Sequence, residues 1–125
     1  MRTPTEPRVR TKRIYEAPSP DDGYRVLATR YWPRGIAKES VDEYVSALAP
    51  SRGLLQSYRG GDITWEVFRE RYLDEMQGED QQAEIHRLAK LARSQRITLL
   101  CMCDDLEKCH RWLLQDLVLR FDDGS

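Results

Sequence analysis

The chain lacks long apolar runs and carries almost no net charge. None of its 125 residues fall in an apolar stretch of the roughly 18 residues that a membrane-spanning helix needs, and "MRTPTEPRVR" has no signal-peptide core. With 20 basic and 21 acidic residues, the net charge of −1 gives no overall attraction to nucleic acid or to a membrane. These absences predict a cytoplasmic protein without a membrane partner.

Cysteine is scarce, and its three copies lie close together. Cys101, Cys103 and Cys109 all fall within "CMCDDLEKCHR", residues 101–111. An odd number of cysteines argues against a disulfide framework. Common structural zinc sites use two short ligand pairs far apart in the sequence, and this spacing differs from them. We predict no metal site, with a site formed by Cys103, Cys109 and His110 as an alternative.

The segment between Cys103 and Arg111 contains no glycine. The strand, cysteine loop and helix expected here are similar in layout to phosphatases and rhodaneses, whose loops are glycine-rich. Cys103 is still a candidate nucleophile, since it follows a strand and precedes a helix, and His110 is its candidate base or acid. Two alternatives remain open: a disulfide between Cys103 and Cys109, and a structural role in the core for Cys101 and Cys109.

The apolar pattern predicts one α/β domain over residues 8–120, between a disordered arm at 1–7 and a tail at 121–125. Strands are expected at residues 8–15, 24–29 and 96–103, the last because β-branched residues lead into an apolar run. Helical segments are expected after Ser40, within residues 51–60, within 65–76, after Asp80 and over 106–120. The fold class is therefore a compact layered α/β domain with a small, partly parallel sheet flanked by about five helices.

The ends of two predicted strands carry most of the polar chemistry. Ligands of parallel α/β sheets bind at the carboxyl ends of strands. If the strands ending at "TRYWPRG" (29–35) and "CMCDD" (101–105) are parallel neighbours, their ends meet in one crevice. The crevice would contain Arg30, Trp32 and Arg34 from one side, and Cys101, Cys103, Asp104, Cys109, His110 and Arg111 from the other.

Arginines at strand ends predict an anion site. A guanidinium group is costly to bury without an anionic partner, and it binds phosphate or carboxylate through two parallel hydrogen bonds. We expect Arg30, Arg34 and Arg111 to be anion ligands. The alternative is that Arg30 or Arg34 pairs with an internal carboxylate.

Other side chains are expected to support this site. Trp32 would stack on a base or cover an arginine. Arg71 and Tyr72 would add hydrogen bonds if their helix packs over the crevice. His110 is the expected titrating group, because the ordinary pKa of histidine is about 6.5.

Three segments resemble the domain-of-unknown-function 488 family, the YeaO-like proteins. They are "DGYRVLATRYWPRGIAKE" (22–39), "LAPS" (48–51) followed by "WEVFRERYLDEM" (65–76), and "ITLLCMCDDLEKCHRWLL" (97–114). The resemblance covers roughly residues 8–120 and implies a compact α/β domain, with no agreed activity. Thr29 stands where the family typically has an aspartate, which weakens any role that needs a carboxylate there.

Three functional hypotheses follow. The leading one is a pocket for an anionic small molecule that bears phosphate or carboxylate, with no particular cofactor implied. The second is a nucleic-acid- or protein-binding module that uses the basic N-terminal segment, in which Arg2, Arg8, Arg10, Lys12 and Arg13 outnumber the acidic residues. The third is a metal- or thiol-dependent enzyme.

Overall fold

A computed structural model of the protein describes residues 8–102 and 109–124, with side chains described up to residue 120. Within these ranges the chain forms four strands: β1 (Val9–Arg13), β2 (Tyr24–Leu27), β3 (Glu43–Tyr44) and β4 (Ile97–Cys101). It also forms four α-helices: α1 (Arg52–Arg59), α2 (Trp65–Glu75), α3 (Glu79–Ala92) and α4 (His110–Gly124). The described residues thus have an α/β fold.

The strands form a single parallel sheet in the order β1-β4-β2-β3. β4 lies inside the sheet and is buried at every residue, as its apolar sequence "ITLLC" predicts for a strand covered on both faces. β1 forms one edge of the sheet and carries three basic residues, and charge of this kind protects an open edge from further pairing. We expected a partly parallel sheet, and every described strand pair is parallel.

The two faces of the sheet are covered differently. On one face, apolar residues of the strands such as Val26 and Leu99 share a core with helical residues such as Leu88 and Leu114. On the other face, a smaller cluster of Ile14, Leu27 and Leu100 is covered by Ile36, Val41 and Met102. The helices therefore supply the main core, and the segment after β2 covers part of the opposite face.

The helix predicted after Ser40 is wrong. Val41 has an extended backbone, with φ −129° and ψ 150°, and Glu43–Tyr44 pair with β2 as strand β3. The backbone N–H of Asp42 donates to Arg25 O at 2.9 Å, and that of Val45 donates to Leu27 O at 2.8 Å. These long-range hydrogen bonds replace helical ones, so pairing with the edge of β2 overrides the local apolar spacing. The described residues hold four α-helices rather than five.

The first residues of α1 and α2 follow side chains that cap a helix, whereas the start of α3 and the end of β4 differ from the predicted positions. Ser51 and Thr64 accept hydrogen bonds from the N–H groups of Leu54 and Val67, and so cap α1 and α2. α3 begins at Glu79, before the expected cap Asp80. Cys101 is the last residue of β4, whereas residues 103–108, where the last helix was expected to begin, lie outside the described ranges.

A buried ion cluster lies at the amino end of the sheet. The carboxylate of Asp22 accepts hydrogen bonds from Lys12 Nζ at 3.1 and 3.2 Å, from Ser19 N at 3.1 Å and from Arg25 Nη1 at 2.5 Å. Burial raises the pKa of Asp22, but these hydrogen bonds outweigh it and hold the pKa below 3.8. Gly23 follows with φ +64°, and a Cβ there would lie 2.2 Å from Arg96 O, so this turn requires glycine.

Candidate functional site

A pocket opens at the carboxyl ends of β2 and β4. It contains about 450 Å³ of empty space, part of it open to solvent. It is lined by Thr29, Arg30, Tyr31, Pro50, Leu55, Arg59, Met102 and His110. β2 and β4 are parallel neighbours, as the predicted crevice requires, and of its expected residues Arg30 and His110 line this pocket.

Arg30 is held at the pocket by backbone carbonyl groups. Its Nε donates to Pro50 O at 3.1 Å, and its Nη2 donates to Ala49 O at 3.2 Å. Tyr44 fixes the backbone of the same residue by donating to Arg30 O at 3.0 Å. Within the described part of the chain, Arg30 forms no ion pair with a carboxylate. The guanidinium group of Arg30 therefore places a positive charge at the pocket that no described carboxylate balances.

Arg59 is a second cation at the pocket, and it was not predicted from the sequence. It is exposed and lies in the last turn of α1. The sequence of residues 51–60 predicted only a helical turn. That prediction does not indicate that the side chain of Arg59 reaches the crevice. The available signal was the spacing of Leu55 and Arg59, which places both on one face of a regular helix.

Tyr31 forms an exposed aromatic wall of the pocket. The residue is 46% exposed, and Arg52 packs over its ring with the Cζ atom 5.8 Å from the ring centre. Arg52 Nε also donates to Tyr31 Oη at 2.8 Å. Thr29 Oγ1 donates to Tyr31 O at 2.7 Å and so closes the turn after β2. These contacts fix the ring beside Arg30.

His110 lies in the pocket wall at the start of α4 and is only 6% exposed. Its Nε2 is 2.8 Å from Ala28 O, and because a carbonyl only accepts, Nε2 carries the proton. Burial, opposed in part by this hydrogen bond and reinforced by the charge of Arg111, lowers the pKa of His110 from 6.5 to about 4. The expectation that His110 titrates near its ordinary pKa is therefore wrong, and the ring is neutral at pH 7.

Arg111 lies against the cysteines and does not line the pocket. The residue is 4% exposed, its Nη1 donates to Cys101 Sγ at 3.6 Å, and its Cζ lies 4.9 Å from the ring centre of Trp112. Its Nε is buried and has no hydrogen-bond partner among the described residues. Cys101 and Cys109 are both buried, which agrees with the core placement that was one alternative for them.

The remaining predicted ligands lie away from the pocket wall. Trp32 Nε1 donates to Ile36 O at 2.9 Å, and its ring meets Tyr44 edge to face at 5.5 Å. Arg34 and Arg71 are exposed. Tyr72 is fully buried, burial raises the pKa of its hydroxyl, and that hydroxyl donates to Leu48 O at 2.8 Å.

The catalytic roles of Cys103 and His110 stay predictions, since Cys103 lies outside the described residues. Over residues 8–102 and 109–124, no group of three or more His, Cys, Asp or Glu side chains is arranged to hold a metal ion. In the same ranges, no helix is long and apolar enough to cross a membrane.

The parallel sheet and the pocket at its carboxyl edge define a small α/β protein with a cleft at its strand ends. Residues 9–121 match the sequence profile of the active DUF488-N3 subclade. The chain therefore belongs to the DUF488 family.

Three relatives of the chain carry names that assign no activity. The chain is 36% identical to the uncharacterised protein YeaO of Escherichia coli K12 over 110 residues, which cover 86% of this chain and 94% of YeaO. It is 39% identical over 85 residues to the uncharacterised proteins Mb3100c of Mycobacterium bovis and Rv3073c of Mycobacterium tuberculosis, covering 66% of this chain and 72% of each relative. No solved structure matches the chain significantly.

Proposed function

We propose that the pocket at the carboxyl ends of β2 and β4 binds a small anion, a phosphate or carboxylate attached to a compact apolar body. The observation that carries this proposal is the pair of guanidinium groups, Arg30 and Arg59, that line one pocket and form no ion pair with any described carboxylate. Cations placed this way favour an anionic ligand, because the ligand supplies the missing countercharge.

The other pocket walls narrow the chemistry of the ligand. Pro50, Leu55 and Met102 are apolar, and Tyr31 adds an aromatic surface. His110 adds no charge at pH 7, since its pKa is about 4. A ligand that is charged at one end and apolar at the other satisfies both kinds of wall, as is usual for small-molecule sites.

Phenyl phosphate is a suitable probe, and calorimetric titration of the whole chain is a suitable measurement. Phenyl phosphate should bind more tightly than inorganic phosphate, which lacks the apolar body, and more tightly than phenol, which lacks the charge. Arg30→Ala and Arg59→Ala should each weaken binding about tenfold, the factor that corresponds to the loss of about 1.4 kcal/mol.

Arg69→Ala is the matched control, because Arg69 is an exposed arginine of α2 that does not line the pocket. It should leave the affinity unchanged. Equal losses in all three variants would show that phenyl phosphate responds only to overall charge, and the pocket proposal would then fail.

The rival module with a basic N-terminal segment is less well supported. Lys12 is paired with the buried carboxylate of Asp22, and Arg10 Nη1 lies 3.9 Å from the same group. Part of the basic segment therefore stabilises the fold. Because Val9–Arg13 form strand β1, only residues 1–7 can be deleted without removing part of the sheet. If binding to an oligonucleotide falls steeply with salt and is lost on that deletion, the rival is favoured.

A further inference from the structure

Tyr31 is the described pocket residue that offers an accessible aromatic ring. It is exposed, and it lines the pocket at the carboxyl ends of β2 and β4. The only other aromatic ring among the described lining residues is the imidazole of His110, which is almost fully buried. The structure describes four further exposed aromatic residues that do not line this pocket: Tyr15, Trp32, Tyr44 and Trp112. A ligand in the pocket can therefore stack on Tyr31.

Three contacts hold Tyr31 in place although its side chain faces solvent. Thr29 Oγ1 donates to Tyr31 O at 2.7 Å and fixes the backbone. Arg52 Nε donates to Tyr31 Oη at 2.8 Å, and the Cζ atom of Arg52 lies 5.8 Å from the ring centre. A ring that is already held in this way loses little freedom when a ligand binds, so less of the binding free energy is spent on ordering it.

Arg52 holds the ring from the start of a capped helix. It is the first residue of α1, and Ser51 caps that helix by accepting a hydrogen bond from the N–H of Leu54. Glu75 of α2 in turn accepts hydrogen bonds from the N–H and the hydroxyl of Ser51. Arg52 does not line the pocket, so it contacts Tyr31 without filling the space of the ligand.

An aromatic wall distinguishes ligands that an aliphatic wall does not. Contact with Pro50 and Leu55, which line the same pocket, depends on the apolar area that is buried. An aromatic ring is flat and has a negative face and a positive edge. A second aromatic ring therefore stacks on it, or meets it edge to face, with a gain beyond that of the buried area. A saturated ring is thicker and lacks this charge distribution.

We propose that the anion bound in this pocket carries an aromatic ring, and that Tyr31 selects this class of ligand by stacking on that ring. The inference rests on the proposed function, in which Arg30 and Arg59 bind the anionic end of the ligand. Tyr31 is the specificity-determining residue, and Arg52 is a positioning residue that acts through it. The ligand is thus an aromatic phosphate or carboxylate rather than an aliphatic one of the same charge.

Phenyl phosphate and cyclohexyl phosphate form the test pair, since they have the same charge and the same number of carbon atoms. Cyclohexyl has the larger apolar surface, so a wall that is only apolar favours cyclohexyl phosphate. Calorimetric titration of the whole chain should instead show that phenyl phosphate binds about fivefold more tightly, the factor expected for one aromatic pair.

Substitution of Tyr31 tests whether its ring causes this preference. Tyr31→Leu should abolish or reverse the preference for phenyl phosphate, whereas Tyr31→Phe, which keeps the ring, should retain most of it. Tyr15→Leu is the matched control, because Tyr15 is an exposed tyrosine that does not line the pocket. It should leave the preference unchanged.

Arg52→Met separates positioning of the ring from the effect of charge. Loss of a positive charge weakens both phosphates by the same factor and leaves their affinity ratio unchanged. Loss of the contacts that hold Tyr31 should lower the ratio about twofold, because a hydrogen bond and a cation–π contact are both removed. Combined with Tyr31→Leu, Arg52→Met should lower the ratio no further. An unchanged ratio in Arg52→Met alone would overturn its positioning role.

The remaining outcomes distinguish this inference from the proposed function. If neither phosphate binds, or if Arg30→Ala binds both as well as the unaltered chain does, both proposals fail. If both phosphates bind through Arg30 but cyclohexyl phosphate binds as tightly as phenyl phosphate, the anion site stands and the selection of aromatic ligands is overturned. A preference that persists in Tyr31→Leu would show that Tyr31 is not the residue that selects the ring.

Discussion

His110 Nε2 donates to the carbonyl oxygen of Ala28 across 2.8 Å and so ties the start of α4 to the end of β2. The ring also meets Tyr72 edge to face, with the ring centres 5.6 Å apart. Because the imidazole is held in its neutral form, protonation must compete with both burial and this hydrogen bond. The connection makes the folded state sensitive to acid.

The first prediction is a loss of stability between pH 6.5 and about 4. Over this range the unfolded chain binds a proton at His110 that the folded chain, whose pKa is about 4, does not bind. The free energy of unfolding should therefore fall as the pH falls, by roughly 3 kcal/mol in total from this group, and change no further from it below pH 4. Urea denaturation at several pH values measures the fall.

His110→Gln is the control for that measurement. A glutamine side-chain amide can still donate to Ala28 O but does not titrate. The difference in unfolding free energy between the unaltered chain and this variant should change with pH between 6.5 and 4. A difference that stays constant over that range would contradict a neutral, buried His110.

A second prediction concerns Asp22. Removal of its carboxylate by Asp22→Ala leaves Lys12 and Arg25 without their buried partner, so the free energy of unfolding should fall by about 3 kcal/mol or more. Since the pKa of Asp22 is lowered in the folded state, its contribution should be complete above about pH 4 and lost as the pH falls through the folded value.

Asp21→Ala provides the comparison for Asp22, because Asp21 is the exposed residue next to it in the chain. Thermal or urea unfolding of both variants at pH 7 separates the two roles. Similar small losses in both would show that the buried cluster contributes little.

The third prediction is that Tyr72 stabilises the fold and takes no part in binding. Tyr72→Phe removes a buried hydroxyl and leaves Leu48 O without its donor, so the free energy of unfolding should fall by about 1–2 kcal/mol. The affinity for phenyl phosphate should not change. A weaker affinity with unchanged stability would instead return Tyr72 to the ligand-binding role that the sequence first suggested.

The sequence predicts the strands that local chemistry determines. The apolar run of β4 and the charged edge of β1 are visible in their residue types, and the meeting of two strand ends follows once β2 and β4 are parallel neighbours. The segment after Ser40 shows the limit. Its apolar spacing indicates a helix, but its backbone forms hydrogen bonds with β2. A local sequence pattern does not show that a segment pairs with a strand so far away in the chain.

The site was predicted less completely than the fold, for a similar reason. Arg30 follows the end of β2, and His110 begins the helix that comes after β4, so a rule about strand ends finds both. Arg59 reaches the pocket from α1, whose packing the sequence does not reveal. Tyr72 is predicted to add hydrogen bonds at the crevice, but it lies with Phe68 in the main core.

The last prediction concerns Glu75, which supports the pocket from α2. Its carboxylate accepts hydrogen bonds from the N–H and the hydroxyl of Ser51, at 2.8 and 2.5 Å. Ser51 follows Pro50, whose carbonyl holds Arg30 Nε. Glu75→Ala should lower the free energy of unfolding by about 2 kcal/mol, because two hydrogen bonds to a charged group are lost.

Glu75→Ala should also weaken binding of phenyl phosphate several-fold, since the carbonyl groups that orient Arg30 lose their support. Glu70→Ala is the matched control, because Glu70 is an exposed glutamate on the same helix. Removal of either glutamate takes one negative charge from α2, so a purely long-range electrostatic effect would strengthen phosphate binding in both variants. A loss confined to Glu75→Ala would therefore identify positioning of Arg30 as the cause, whereas a gain in both would leave Glu75 with a role in stability alone.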